Sequence, residues 1–228
     1  MMLFLAVFCG FLAEYKLEHT IEHQRAKEYA TNLYAELKKD TVRINELIKR
    51  QTLISEKLDS FCTLVKKTDR KIVTPGMLYS YARYATNVNY FSSQNATIEQ
   101  LKNSGSLRIM SSASAQKISE YDKKIRELEK EYGLSKAEFQ KIEDLHFRLF
   151  DVYTMETLPS DTLPNARDSI LALQSLYVLN DPAILNEYTG WIKFEADIYI
   201  YQTKAYLTPI KQCAEELIGI LKKEYHLD

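Results

Sequence analysis

His19-Thr20-Ile21-Glu22-His23 is the stretch whose residue types and spacing read most directly as chemistry. Two histidines one helical turn apart, with Glu18 and Glu22 beside them, match the H-x-x-E-H pattern of inverted zinc peptidases. In such a site the imidazoles hold the metal and a glutamate activates water. A working centre also needs a third ligand from another element and a cleft that excludes water. Here the motif lies on a run dense in Glu, His, Lys and Arg, a turn or two beyond an uncharged segment. It therefore reads as a solvated band where a helix leaves a membrane surface. Glu14, Glu18 and Glu22, spaced by four, could do acid/base work if burial pushed their pKa values apart. On so charged a run they read as a solvated anionic stripe.

Tyrosine is over-used, sixteen residues against one tryptophan. Tyr79, Tyr81 and Tyr84, with Tyr188, Trp191, Tyr199, Tyr201 and Tyr206, could line an aromatic ligand pocket. They fit better as core or interface, because tyrosine packs its ring and keeps its hydroxyl wet. His146 and His226 stand alone. Lys66, Lys67, Arg70 and Lys71, with Asp69 among them, make a small solvated basic turn. The chain carries no glycine-rich phosphate loop, no C-x-x-C and no G-x-S-x-G. No catalytic, cofactor-binding or metal-binding residue is assigned, so neither an enzyme nor a cofactor is expected. Thirty basic against thirty-one acidic residues leave a net charge of -1, without the basic field that nucleic acid requires.

These residues are positioned by helices. Met1 to Ala13 holds no charged side chain. As a helix it would span about 20 Å, against about 30 Å for a hydrocarbon core. It lacks the basic start and small cleavage residues of a signal peptide, and Phe8 before Cys9 is too bulky for a lipoprotein site. The run reads as a membrane segment, 1–13, that begins upstream of Met1 or spans with help from local thinning and from Tyr15 and Lys16 at the interface. From Leu17 to Val65 apolar residues recur at three and four, and no glycine or proline occurs between Phe11 and Thr74. This predicts one long amphipathic helix continuous with the opening run.

Thr74-Pro75 opens a short aromatic helix, and Asn87 to Asn95 is irregular. Thr97 with Gln100 reads as a capping box for a helix closed by Gly105. A helix from Ser112 to Tyr132 should end at Gly133. Ser135 with Glu138 reads as a second capping box, opening a helix to Met155. Leu158 to Pro164 is the clearest linker. Ala166 to Leu179 and a long segment after Asp181-Pro182 read as helices, the latter kinked or split by Pro209. Cys62 and Cys213 are either a distant pair or two buried thiols. The fold class is all-α: a long N-terminal helix packed against a long C-terminal helix, shorter middle helices completing one bundle from 14 to 228.

Two blocks resemble an uncharacterised family of small bacterial membrane proteins. The first covers residues 4 to 41, with matches at Glu18, His19, Glu22, His23, Arg25, Lys27, Tyr29, Leu33, Glu36, Leu37 and Asp40. The second covers residues 96 to 110, with matches at Thr97, Leu101, Ser104, Gly105, Leu107 and Arg108. The resemblance implies one N-terminal membrane helix followed by a helical domain, and it brings no activity. The expected function is a single-pass membrane-anchored protein acting through protein contacts or self-association. Its helical domain leans towards the extracytoplasmic side. The other reading is a sensor or small-ligand-binding bundle using the Tyr/Trp stripe.

Overall fold

The computed structural model describes residues 2–67, 72–159 and 166–227. Helix α1 runs Met2–Lys67 unbroken, 66 residues or about 100 Å of rise. The opening run and the amphipathic rod are thus one helix. There follow α2 (Pro75–Ala82), α3 (Ala96–Asn103), a 3-10 turn (Ser106–Ile109), α4 (Ser112–Leu134), α5 (Lys136–Leu149), α6 (Val152–Thr157) and α7 (Ala166–Leu171). The chain ends with α8 (Pro182–Gln202), a π-helical turn (Thr203–Leu207) and α9 (Thr208–Tyr225). Among the described residues no strand forms; Phe150 and Val178 make an isolated antiparallel bridge. The all-α class is the observed one. Residues 160–164 of the expected linker, and 68–71 of the basic turn, lie outside the described residues.

The chain divides into two compact units, each assembled from separated stretches. The first takes the chain up to Asn45, Ser92–Arg126 and the chain from Pro209. It buries Leu33, Leu37 and Ile44 of α1, Ile98 and Leu101 of α3, Ile118 and Tyr121 of α4, and Leu217 and Leu221 of α9. The second takes Glu46–Phe91 and Glu127–Thr208. Here the long helices pack antiparallel, because contacts climbing α1 descend α8. The Thr203 hydroxyl donates to Gln51 at 2.9 Å, the Ser55 hydroxyl to the Ala196 carbonyl at 2.9 Å, and the Cys62 thiol to the Thr189 carbonyl at 3.6 Å.

Several local expectations are corrected. Thr97 lies inside α3, and neither expected capping box forms: Asn95 and Ser135 hold the cap positions without side-chain capping bonds. Gly133 does not end α4, which runs on to Leu134. The expected helix from Ser135 to Met155 breaks at Phe150, whose backbone is extended. Its ring is buried and meets Tyr79 edge-on at 5.2 Å, and Asp151 then caps α6 through the Tyr153 amide. The helix expected to Leu179 stops at Leu171. Beyond it the backbone serves other elements: the Gly76 amide donates to Leu173 O at 3.0 Å, and the Leu179 amide to Leu149 O at 2.9 Å. A side chain at Gly76 would strike the Ile170 carbonyl oxygen, so the residue is required for this close approach. At Pro209 the last helix is neither stopped nor separated: it runs on through a π turn placed just before the proline. The proline's missing N–H and its ring are accommodated by that widened turn, and α9 continues from Thr208.

In the second unit's core His146 is buried with no charged neighbour among the described residues. His146 Nδ1 sits 2.6 Å from the Tyr188 hydroxyl and Nε2 3.2 Å from the Met155 sulfur. Burial pulls its pKa down to about 4. Below pH 6.5 the unfolded chain takes up a proton that the folded chain refuses, so stability falls with pH until the folded pKa is reached. The loss is about 3 kcal/mol. In denaturant titrations the stability difference between wild type and His146→Gln should shrink by about this amount from pH 6.5 to 4. Parallel profiles would contradict the assignment.

Candidate functional site

The first unit's polar chemistry begins with two carboxylates one turn apart on α1. Asp40 is fully buried and accepts from the Ser93 hydroxyl at 2.5 Å, the Tyr121 hydroxyl at 2.8 Å and the Gln94 amide at 3.1 Å. Burial, and then the Asp40 charge, hold the Tyr121 phenol far above its ordinary pKa. Glu36 accepts from the Thr97 hydroxyl at 2.8 Å and from its amide at 3.3 Å. A carboxylate from α1 therefore does for α3 what a local capping box was expected to do. Its charge also faces the positive end of that helix.

With α3 docked this way, its C-terminal turn is steered back over α1. Gly105 has φ +67, which L side chains adopt at a cost of about 1–2 kcal/mol. The Ser104 hydroxyl donates to Gln100 O at 2.7 Å and lies 2.7 Å from the Ser106 hydroxyl. The following 3-10 turn delivers Arg108, whose guanidinium pairs with Glu22 at 3.4 Å.

Between these pieces lies an open cleft of about 460 Å³. Helix α1 lines it with Glu22, Arg25, Glu28, Tyr29 and Asn32, and the returning segment with Gln100, Ser104, Ser106 and Arg108. The Glu22–Arg108 pair is largely solvated and worth at most about 1 kcal/mol, so it leaves both groups free to exchange partners. Arg25 and Glu28 make no ion pair among the described residues. Two guanidinium groups, two carboxylates, two amides and three hydroxyls make a surface suited to recognising charged and polar groups.

Of the residues singled out in the sequence, Glu22, Arg25, Tyr29, Ser104 and Arg108 line this cleft, while Glu14, Glu18, His19 and His23 are exposed and do not line it. Among the described residues no group of three or more His, Cys, Asp or Glu side chains could hold a metal ion. Tyr79, Tyr188 and Tyr199 are buried in the second unit's core, and Trp191 is half-buried with its ring 5.9 Å from Phe194. Cys62 and Cys213 are separate free thiols, each pushed by burial up to about 11. The cleft itself escaped residue-by-residue reading, because its walls lie some 80 positions apart. The signal present was the pair of blocks around residues 18–40 and 97–108, which the fold brings against each other.

No protein family, curated protein or solved structure matches the chain.

The Asp40 junction is directly testable. Asp40→Asn keeps one acceptor oxygen for the two hydroxyls but sets an NH2 group against the Gln94 amide, and should destabilise the protein by about 1–3 kcal/mol in chemical denaturation. A change below about 0.5 kcal/mol would show that the junction does not hold α3 to α1.

Proposed function

We propose that the protein is a membrane-anchored helical protein that acts through protein contacts, its first helix serving as the anchor and the charged cleft as the surface for recognition. The observation that carries this reading is the exposure of the large apolar side chains at the described start of α1. Val7, Phe8, Phe11, Leu12, Tyr15, Leu17 and Ile21 are all exposed, Phe11 by 70%. At 3.6 residues per turn these positions, with the exposed Cys9, point in all directions around the axis. A single partner groove covers one stripe of a helix, whereas hydrocarbon covers every side. Among the described residues no helix is long and apolar enough to cross a membrane. The reading requires only that the apolar turns enter the bilayer. Tyr15 and Lys16 then fall at interfacial depth, and the Glu/His band follows in water.

The resemblance of both blocks to small membrane-anchored helical proteins supports the same reading. Self-association through α1 is the competing use of the exposed turns. A second role, capture of a small ligand, draws on an aromatic cavity in the second unit.

Flotation with phospholipid vesicles separates anchor from self-association. Wild type should float with the vesicles and stay bound in high salt, while a Phe8→Asp, Phe11→Asp double variant should remain at the bottom. Wild type that forms a soluble oligomer and ignores vesicles would overturn the anchor.

A further inference from the structure

The second unit carries a cavity of about 470 Å³ unlike the charged cleft of the first. Its walls are Val88 and Tyr90 from the irregular segment, Tyr132 at the end of α4, and Lys136, Phe139 and Glu143 from the start of α5. Three aromatic side chains therefore surround the space. The Tyr90 and Tyr132 centroids are 4.6 Å apart, with their planes tilted by 54°. Tyr132 is fixed in place, because its hydroxyl accepts the Phe91 amide at 3.2 Å. Tyr90 is half-exposed, leaving its ring accessible from solvent.

Carboxylates gather around this aromatic wall, with Arg50, bonded to Asn87, and Lys136 as the nearby cations. Glu143 lines the cavity and makes no ion pair among the described residues. Glu195 is buried, and its charge, after burial and ahead of that of Glu143, raises the pKa of the Tyr90 phenol. Burial raises the pKa of Glu195; the Tyr199 hydroxyl opposes that rise, and the Glu138 charge adds to it. The Glu138 Oε2 atom is buried without a hydrogen-bond partner among the described residues, a condition native proteins seldom leave unanswered. The cation on the cavity wall is Lys136, which is exposed and flexible enough to turn into water.

An accessible tyrosine ring, packed on a second tyrosine and flanked by carboxylates, favours one ligand chemistry. We propose that this cavity binds a small organic cation, an alkylammonium or quaternary ammonium group, held over the exposed Tyr90 ring, which Tyr132 backs, and balanced by Glu143. A positive charge within about 6 Å of a ring face is attracted by the ring quadrupole, and desolvation strengthens the attraction. The cavity volume falls within the ordinary range for small-ligand sites. This proposal rests on the ligand-binding role and is independent of the anchor, which flotation tests separately.

The test uses the full chain in detergent micelles, with choline and tetramethylammonium as probes and 3,3-dimethylbutanol as choline's uncharged isostere. Amide chemical shifts of Val88, Gly133 and Gln140 should saturate with choline and with tetramethylammonium, and the isostere should bind at least about tenfold more weakly. Tyr90→Leu should weaken choline binding by about tenfold and Glu143→Gln by several-fold, whereas Lys136→Gln should strengthen it. That opposite sign cannot come from general loss of structure. The proposal is overturned if neither cation saturates the shifts at tens of millimolar. Equal binding of the isostere, or a Tyr90→Leu variant that keeps its fold and its full affinity, overturns it as well.

Discussion

Most of a helix's stability in a folded protein comes from packing of its apolar face, and the 66-residue α1 offers such a face over most of its length. Most of the structure follows from that constraint. Ala26, Ala30, Leu33, Leu37 and Ile44 are buried in the first unit, and Ile54, Leu58 and Phe61 in the second. The same helix supplies the polar partners that fix its neighbours. Glu36 and Asp40 receive the start of α3, and Ser55 and Cys62 receive the backbone of α8. Where the stripe gives way to an uncharged run, the same helix leaves its large apolar side chains in the open. The proposed anchor and the observed core are two consequences of one sequence pattern that changes character near residue 22.

The cleft depends on α1 at one remove. The Asp40 and Glu36 contacts fix the entry of α3, and the left-handed Gly105 turns its exit back over α1. Arg108 meets Glu22 only at the end of that path. The cleft is thus positioned by a carboxylate junction whose Asp40 is fully buried. Its groups can change partners cheaply, because the one pair among them is exposed and weak.

Legibility in the sequence followed the range of the forces involved. The continuity of α1 was legible because helices need only local periodicity and freedom from breakers. Thr74-Pro75 and Asp181-Pro182 were legible as helix starts because their caps act within three residues: the Met77 amide bonds Thr74, and the Ala183 amide bonds Asp181. The irregularity at Pro209 was legible from the ring's own geometry, and it takes the form of a π turn, not a break. What failed was local pattern overridden by distant partners. Thr97 looked like a cap until Glu36, 61 positions away, took its amide and hydroxyl. The helix expected to Leu179 gave way because Gly76 and Leu149 claim that backbone. The two units were illegible for the same reason, since each joins stretches that only packing brings together. The tyrosine stripe was read correctly as core at Tyr79, Tyr188 and Tyr199, while the cavity beside Tyr90 drew on residues outside that stripe.

Cys9 offers the most direct measurement of the central claim. Its thiol is exposed among the apolar turns, whereas Cys62 and Cys213 are shielded and raised by burial, so a maleimide or methanethiosulfonate spin label should react there first. With phospholipid vesicles present, the label at Cys9 should collide more with oxygen, which concentrates in hydrocarbon, than with a water-soluble nickel chelate. Without vesicles that preference should be absent. Chelate accessibility at Cys9 that stays high and unchanged on adding vesicles would contradict the account.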